Sequence, residues 1–501
     1  MNTSRSRSAR QALLPCVFAL AAAAPAGSAT AAPRDPRLTL APDPTGLIGT
    51  LKVDSPIDRS GPFFQSLGTN GRSCGTCHDP NEAMSFTPGH ARTQFDATRG
   101  KDPLFAPVDG ANCDNAERGD RAGHSLILQN GLIRIALPVP ANAEFSIQLV
   151  SDPYGCALRI DPKTHVLTIS VYRRPLPASN LSFLSAVMFD GRETVAPLTS
   201  SATDAANLET DLRHQATDAT TGHAQATSPP TEAQLTAIVS FELRLYSGQI
   251  SDEKAGALDA YGAMGGPRDL SMQSYYPGIN DSLGQDPHGL PFDPTAMQLF
   301  AAWTGKSSTD SSETDDQAAA RAAIAAGEKL FNGAPLTITN VRGLNDNATL
   351  GNPTSLKGTC TTCHDAPNVG DHSLPLPLDI GTSHTANPSF ESDPLIETAV
   401  GQLSMPKLPV FLISGCPDPF NHGRTASFYT TDPGRALITG HCSDFNRVKG
   451  PILRGLAARA PYFHNGAAAT LREAVNFYDK RFQMNLTETQ KEDLVAFLNS
   501  L

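Results

Sequence analysis

The pentapeptide Cys-x-x-Cys-His occurs twice in this chain of 501 residues, as Cys74-Gly75-Thr76-Cys77-His78 and as Cys360-Thr361-Thr362-Cys363-His364. Two thiols at this spacing add to the vinyl groups of one porphyrin, and the histidine that follows becomes an axial ligand of its iron. The pattern predicts two covalently bound c-type haems, one in each half of the chain. The competing reading, a zinc or disulfide Cys-x-x-Cys beside a bystander histidine, needs the same accident twice. The expected architecture is mainly α, with two cytochrome c-like haem domains.

Residues 1–32 read as a secretory signal. Arg5, Arg7 and Arg10 precede an apolar stretch over 12–24, and Ala29-Thr30-Ala31 offers small residues for cleavage. The stretch is short and ends in Pro25 and Gly27, so a membrane-spanning anchor is not expected. The predicted location is the periplasm, where bacterial c-type haem is attached. A net charge of −11 and a pI near 5.6 argue against nucleic acid or an anionic membrane as partner.

Setting aside Cys16, inside the leader, and the four haem cysteines leaves Cys113, Cys156, Cys416 and Cys442. An even remainder in an oxidising compartment suggests two disulfides. Of the three pairings, Cys113–Cys156 with Cys416–Cys442 is favoured, because each bridge then stays within one half. Four free thiols are the alternative.

The Pro-rich stretch 33–50 reads as an extended lead-in, and 62–67 as a short helix running into the first haem motif. Alternating or β-branched runs between Asp152-Pro153 and Asp161-Pro162 turns predict a small β insertion at about 126–175, within an N-terminal haem domain spanning 33–310. Helical spacing of Leu235, Ile238, Val239 and Leu245 predicts a helix over 231–247, followed by a Gly/Pro-rich ordered loop over 248–294. A polar linker at 306–316 leads to an Ala-rich helix over 318–331 and a C-terminal haem domain over 317–501. A last helix is expected over 487–501.

The stretch Gly450-Pro451-Ile452-Leu453-Arg454-Gly455-Leu456-Ala457-Ala458-Arg459-Ala460-Pro461-Tyr462-Phe463-His464-Asn465-Gly466, followed by Thr470-Leu471, carries a family resemblance. It is similar to the "PxLRN…APYFHDG…TL" segment beside the C-terminal haem of the bacterial di-haem cytochrome c peroxidase family, which includes a MauG-like branch. Asp432-Pro433-Gly434-Arg435 and Thr439 resemble its "D-x-G-R…T" segment, and Phe189-Asp190-Gly191-Arg192 its "WDGR". The resemblance leaves out the β insertion, 240–310 and 371–419.

Several roles follow from that resemblance. Conventional members place a Met fourteen residues after the histidine of "PYFHDG" as sixth ligand of the C-terminal haem; here Tyr478 stands fourteen residues after His464, as in the MauG-like branch, and Met484 lies six residues further on. A tyrosinate is a hard donor that lowers the iron's potential, whereas Met raises it. An ordinary core tyrosine is the alternative. His90 resembles the histidine that caps the N-terminal haem at rest, with an exposed loop histidine as the alternative. Leu212-Arg213-His214-Gln215-Ala216-Thr217 is similar to "LxxQATGP", and counting on from it puts Gln225 where conventional members carry a catalytic Glu. Gln orients peroxide but cannot shuttle a proton; His223, two residues earlier, can. A surface turn is the bland reading of both. Phe189 replaces the family's inter-haem Trp, and Trp303, outside the matched segments, reads as a packing residue. The family also binds a calcium ion through backbone oxygens near "APYFH", which implicates Arg459 and Pro461.

The resulting expectation is a periplasmic di-haem oxidoreductase that takes hydrogen peroxide, forms high-valent haem and oxidises an unknown protein or small molecule. One alternative is conventional peroxide reduction to water with electrons from a small periplasmic cytochrome or cupredoxin. Others are dioxygen chemistry, as in related di-haem rubber oxygenases, and pure electron transfer.

Overall fold

The computed structural model describes residues 35–162, 164–195, 205–305, 313–385, 393–420 and 425–501. The expected leader, with Cys16, lies outside them, as does 306–312 of the expected linker. Helix outweighs strand, yet strand is not confined to one insertion: four small sheets occur among the described residues.

The strongest helices form where capping and periodicity agree. Asp315–Gly333 is opened by Thr314, whose hydroxyl accepts from the Gln317 backbone while Gln317 reaches back in a capping box. Two acids in its first turn complement the helix dipole. Glu488–Asn499 is opened the same way by Thr487 and Gln490. The two helices pack together around Ile324, Phe331, Leu494, Phe497 and Leu501. Their close crossing depends on Gly327, since a side chain there would run into the Asp493 backbone. Trp303 belongs to this core, 5.0 Å from Phe300, with its indole N–H donated to the Ala260 carbonyl. It is a packing residue.

The Pro-rich lead-in is a hairpin rather than an unpaired segment. Asp43 Oδ1 accepts from Thr45 and Gly46 backbone N–H groups, an Asx turn that folds Leu38–Asp43 onto Gly46–Lys52. This hairpin continues into Leu245–Asp252, so the expected 231–247 helix stops at Glu242 and the expected loop after it begins as a strand. Leu245, counted as a helical core position, is instead buried from the strand.

The β insertion is likewise not self-contained. Its first residues form a helix, Ser125–Asn130, ended by Gly131 at φ 61°. Ile133–Pro138, Leu167–Arg173 and Leu158–Ile160 make one sheet. Ser146–Ser151, largely exposed, pairs with Val410–Pro417 far along the chain. Leu137, Phe145, Ile169, Phe411, Ile413 and Phe445 fill the core shared by the two sheets. Both favoured disulfides are present, Cys113–Cys156 and Cys416–Cys442. No described helix is long and apolar enough to cross a membrane.

Candidate functional site

Each Cys-x-x-Cys-His motif forms a single turn of 3-10 helix with the same local chemistry. Ser73 and Thr76 make a capping box around the first, Thr359 and Thr362 around the second. The N–H groups of Cys77 and His78 both donate to the Cys74 carbonyl, and those of Cys363 and His364 to that of Cys360. His78 then donates Nδ1–H to the Met84 carbonyl at 2.9 Å, and His364 to the Gly370 carbonyl at 3.2 Å, six residues on in each case. That bond fixes the tautomer and leaves Nε2 as the metal-binding nitrogen.

The four motif cysteines are outside any disulfide, and each pair lines a large, mostly apolar cavity with its histidine. Among the described residues neither motif's sulfurs and imidazole converge as a metal centre requires, which sets zinc aside. The donor set fits a c-type haem in each cavity: two thiols for the porphyrin edge, one oriented imidazole for the iron, and an apolar wall. Gly75 is needed at the first, because a side chain there would strike the Phe64 ring.

The wall of the first cavity includes a face of the helix Ala205–Gly222, with Leu212, Gln215, Ala216 and Ala219, continued by His223 just past its end. His223 Nδ1 is hydrogen-bonded to Asp109, whose other carboxylate oxygen is ion-paired with Arg72. Arg72 is itself buried and fixed by the carbonyls of Pro103 at 2.8 Å and Leu104 at 2.7 Å. Burial and the Arg72 and Arg192 guanidiniums push the imidazole's pKa down, and the Glu193 carboxylate acts in the opposite sense. Glu242, also in the wall, is pushed up to about 8 by burial and has one carboxyl oxygen without a partner.

Two expected residues lie elsewhere. His90 sits on the helix Pro88–Thr98 and turns its Nδ1 to Glu82 Oε1 at 3.1 Å, outside the cavity wall. Gln225 is exposed at φ 56°, beyond the helix, and the glutamine that lines the cavity is Gln215. Asp109 and Arg72 were not among the sequence candidates; they sit in loops with no motif of their own.

In the second cavity Tyr478 lines the wall from the helix Leu471–Arg481, stacked on Phe482 with ring centroids 5.8 Å apart. Burial and the nearby thiols push its phenol well above the ordinary range. Met484, just past that helix, lines the same cavity. His464 lines it too, with Nε2 3.2 Å from Ser383 Oγ and a buried Nδ1 without a partner.

Phe189 and the segment 174–177 line both cavities and so form the partition between them. Phe189 lies edge-on to His464 with ring centroids 6.0 Å apart. Buried Arg173 ties this partition down, reaching Asp190 at 2.5 Å and both oxygens of Asp432 at 2.6 and 2.9 Å. The two short motifs, Phe189-Asp190-Gly191-Arg192 and Asp432-Pro433-Gly434-Arg435, thus meet through one guanidinium.

The residues at the expected calcium position do not fit that ion. The Arg459 carbonyl accepts from Arg174 Nη2 at 3.3 Å, and the two guanidiniums lie close enough to repel each other. A divalent cation between them meets repulsion, and neither Arg459 nor Pro461 brings a carboxylate to offset it.

No protein-family model matches the chain. Curated relatives do. A cytochrome-c peroxidase of Denitromonas iodatirespirans is 30% identical over 152 residues, covering 29% of this chain and 36% of that one. The cytochrome c551 peroxidase of Nitrosomonas europaea is 41% identical over 70 residues, 14% of this chain and 21% of that one. These stretches of the chain are similar to bacterial cytochrome c peroxidases. The cytochrome c peroxidase of Escherichia coli is 40% identical over 84 residues, 16% of this chain and 17% of that one. The matches span little more than a third of the relatives' own length at most.

Proposed function

We propose that this protein is a periplasmic di-haem oxidoreductase that reacts with hydrogen peroxide in the His78 cavity. Residues 33–310 and 317–501 would each carry one haem, covalently held through Cys74 and Cys77 with His78, and through Cys360 and Cys363 with His364. The observation that carries this reading is the Asp109–His223 pair in the wall of the first cavity. The second cavity has a histidine–carboxylate pair of its own, His372–Asp365 at 3.0 Å, but it also holds Tyr478, the proposed sixth ligand, which would close its iron to peroxide.

A haem held by Cys74, Cys77 and His78 would supply the two electrons that, with two protons, turn peroxide into two waters. The chain's part is the proton. With Nδ1 committed to Asp109, His223 has Nε2 free to take a proton from one peroxide oxygen and return it to the other as the bond breaks. Gln215 can orient peroxide by hydrogen bonding but cannot carry the proton. The buried Arg72 holds Asp109 in place.

In the second cavity Tyr478 is the proposed sixth ligand. A phenol raised this far by burial binds as tyrosinate only by giving its proton to solvent when the iron takes its place, and the result is a low-potential site of the MauG-like kind, suited to holding an oxidising equivalent. Phe189 in the partition is hard to oxidise, so electrons pass between the sites by tunnelling across it. The oxidised substrate is a protein or small molecule supplied in the periplasm. A second reading has one supporting observation: Met484 lines the same cavity, as methionine ligation and conventional peroxide reduction fed by a small redox protein would need.

The test is stopped-flow spectroscopy of the haem-loaded protein mixed with peroxide. His223→Ala should slow the peroxide-driven change in the haem spectrum by about 10²–10⁴-fold. An unchanged rate removes His223 from the reaction.

A further inference from the structure

Arg174 is buried in the partition, lines both cavities, and has no carboxylate within ion-pairing distance among the described residues. Its guanidinium is held by backbone carbonyls alone. Nη1 donates to Gly131 at 2.9 Å, and Nη2 donates to Phe86 at 2.9 Å and to Arg459 at 3.3 Å. Its own backbone N–H donates to the His464 carbonyl at 2.6 Å. A side chain at Gly131 would collide with the guanidinium, so the surrounding backbone leaves room for this cation and little else.

Three converging carbonyl oxygens from separate segments are what a bound metal ion usually collects. Here the segments are the loop just after the first haem motif, the end of the Ser125–Asn130 helix, and the Arg459 turn beside the second cavity. A planar guanidinium satisfies the same oxygens directionally, with a single charge and no need for carboxylates. A buried cation without a direct ion pair is costly, and Arg459 beside it adds repulsion that Glu82, further off, only partly offsets. Such a residue persists where it holds something in place.

We propose that the guanidinium of Arg174 stands in place of the calcium ion that the family resemblance implies, so that the protein joins the walls of its two cavities without a metal ion. The proposal rests on the family resemblance and not on the peroxide reaction. Arg174 is then a positioning residue, and its charge lies close to both haem sites. A fixed positive charge favours the reduced, less positive state of each iron.

The experiment uses the haem-loaded wild-type protein and two variants, Arg174→Gln and Arg174→Lys. Wild-type protein dialysed against EGTA should contain far less than one calcium per chain, and its melting temperature should be the same with and without added millimolar calcium chloride. Arg174→Gln should melt several degrees lower and shift the reduction potentials of both haems in the negative direction. Arg174→Lys keeps the charge and should return the potentials toward wild type while recovering only part of the melting temperature. One tightly held calcium per wild-type chain, whose removal lowers the melting temperature and whose return restores it, would overturn the proposal. So would Arg174→Gln with unchanged potentials. If Arg174→Gln does not fold, the wild-type calcium content and melting temperatures decide the matter.

Discussion

Asp109 binds His223 on one carboxylate oxygen and Arg72 on the other, inside the cavity that holds Cys74, Cys77 and His78. The carboxylate fixes which imidazole nitrogen bears the proton, and the arginine fixes the carboxylate. Asp109→Asn keeps the shape and removes the charge, so the His223 tautomer is no longer set. The expected outcome is slower peroxide-driven oxidation, by an amount approaching that of His223→Ala, with haem content unchanged. Equal rates in Asp109→Asn and wild type would show that the pair only braces the loop.

Tyr478 gives a spectroscopic prediction. Tyr478→Phe should leave the second haem without its tyrosinate, seen as a shift from low-spin to high-spin signals in electron paramagnetic resonance. Tyr478→Met should raise that haem's reduction potential. Met484→Leu should change neither. If Met484→Leu is the variant that alters the spin state, methionine is the ligand and the conventional branch is the right one.

The Arg173–Asp190–Asp432 network predicts acid sensitivity. Burial alone would raise the Asp190 carboxyl, but Arg173 and Arg192 outweigh it and hold it at about 2. A folded-state value below the ordinary 3.8 means that this contribution to stability is present above pH 3.8 and is lost as pH falls towards 2. Asp190→Asn leaves Arg173 short of a partner and should cost about 3–5 kcal/mol. Its unfolding free energy should also change less than that of wild type between these two pH values. A variant with the full wild-type pH dependence would contradict the assignment.

Glu242 works in the opposite direction. Its carboxyl is pushed up by burial to about 8, from an ordinary 4.5, so the folded protein binds the extra proton and loses stability as pH rises through that window. Glu242→Gln should therefore flatten the fall in melting temperature between pH 4.5 and 8. A steeper fall in the variant would mean that Glu242 has a charged partner in the haem-loaded protein.

Much of this was legible in the sequence wherever the signal is local. The two Cys-x-x-Cys-His turns and the helices ending at Gly333 and Asn499 follow from spacing over a few residues, although the first of these helices starts at Asp315, inside the expected linker. The even cysteine count suggests two disulfides without fixing their pairing. What escaped depends on distant segments. Leu245 fits a helical period, but pairing of Lys52 with it takes it into a sheet. Ser146–Ser151 has too little buried surface to stand in a local hairpin and pairs with Val410–Pro417 instead. Asp109 reaches His223 across 114 residues, and no motif marks it. His90 is placed by Glu82, eight residues earlier, whose carboxylate takes up its ring. The glutamine of the cavity wall is Gln215 because the helix runs on to Gly222 and leaves Gln225 outside.

The most direct test of the account compares two variants, each stripped of one attachment site: Cys74→Ala with Cys77→Ala, and Cys360→Ala with Cys363→Ala. Mass spectrometry of the denatured protein should show one covalent haem in each and two in wild type. Mixed with hydrogen peroxide in a stopped-flow spectrometer, the variant lacking the second site should still show the initial fast spectral change, and the variant lacking the first should show none. A fast reaction in the protein without Cys74 and Cys77 would place peroxide chemistry at His364 and contradict the account.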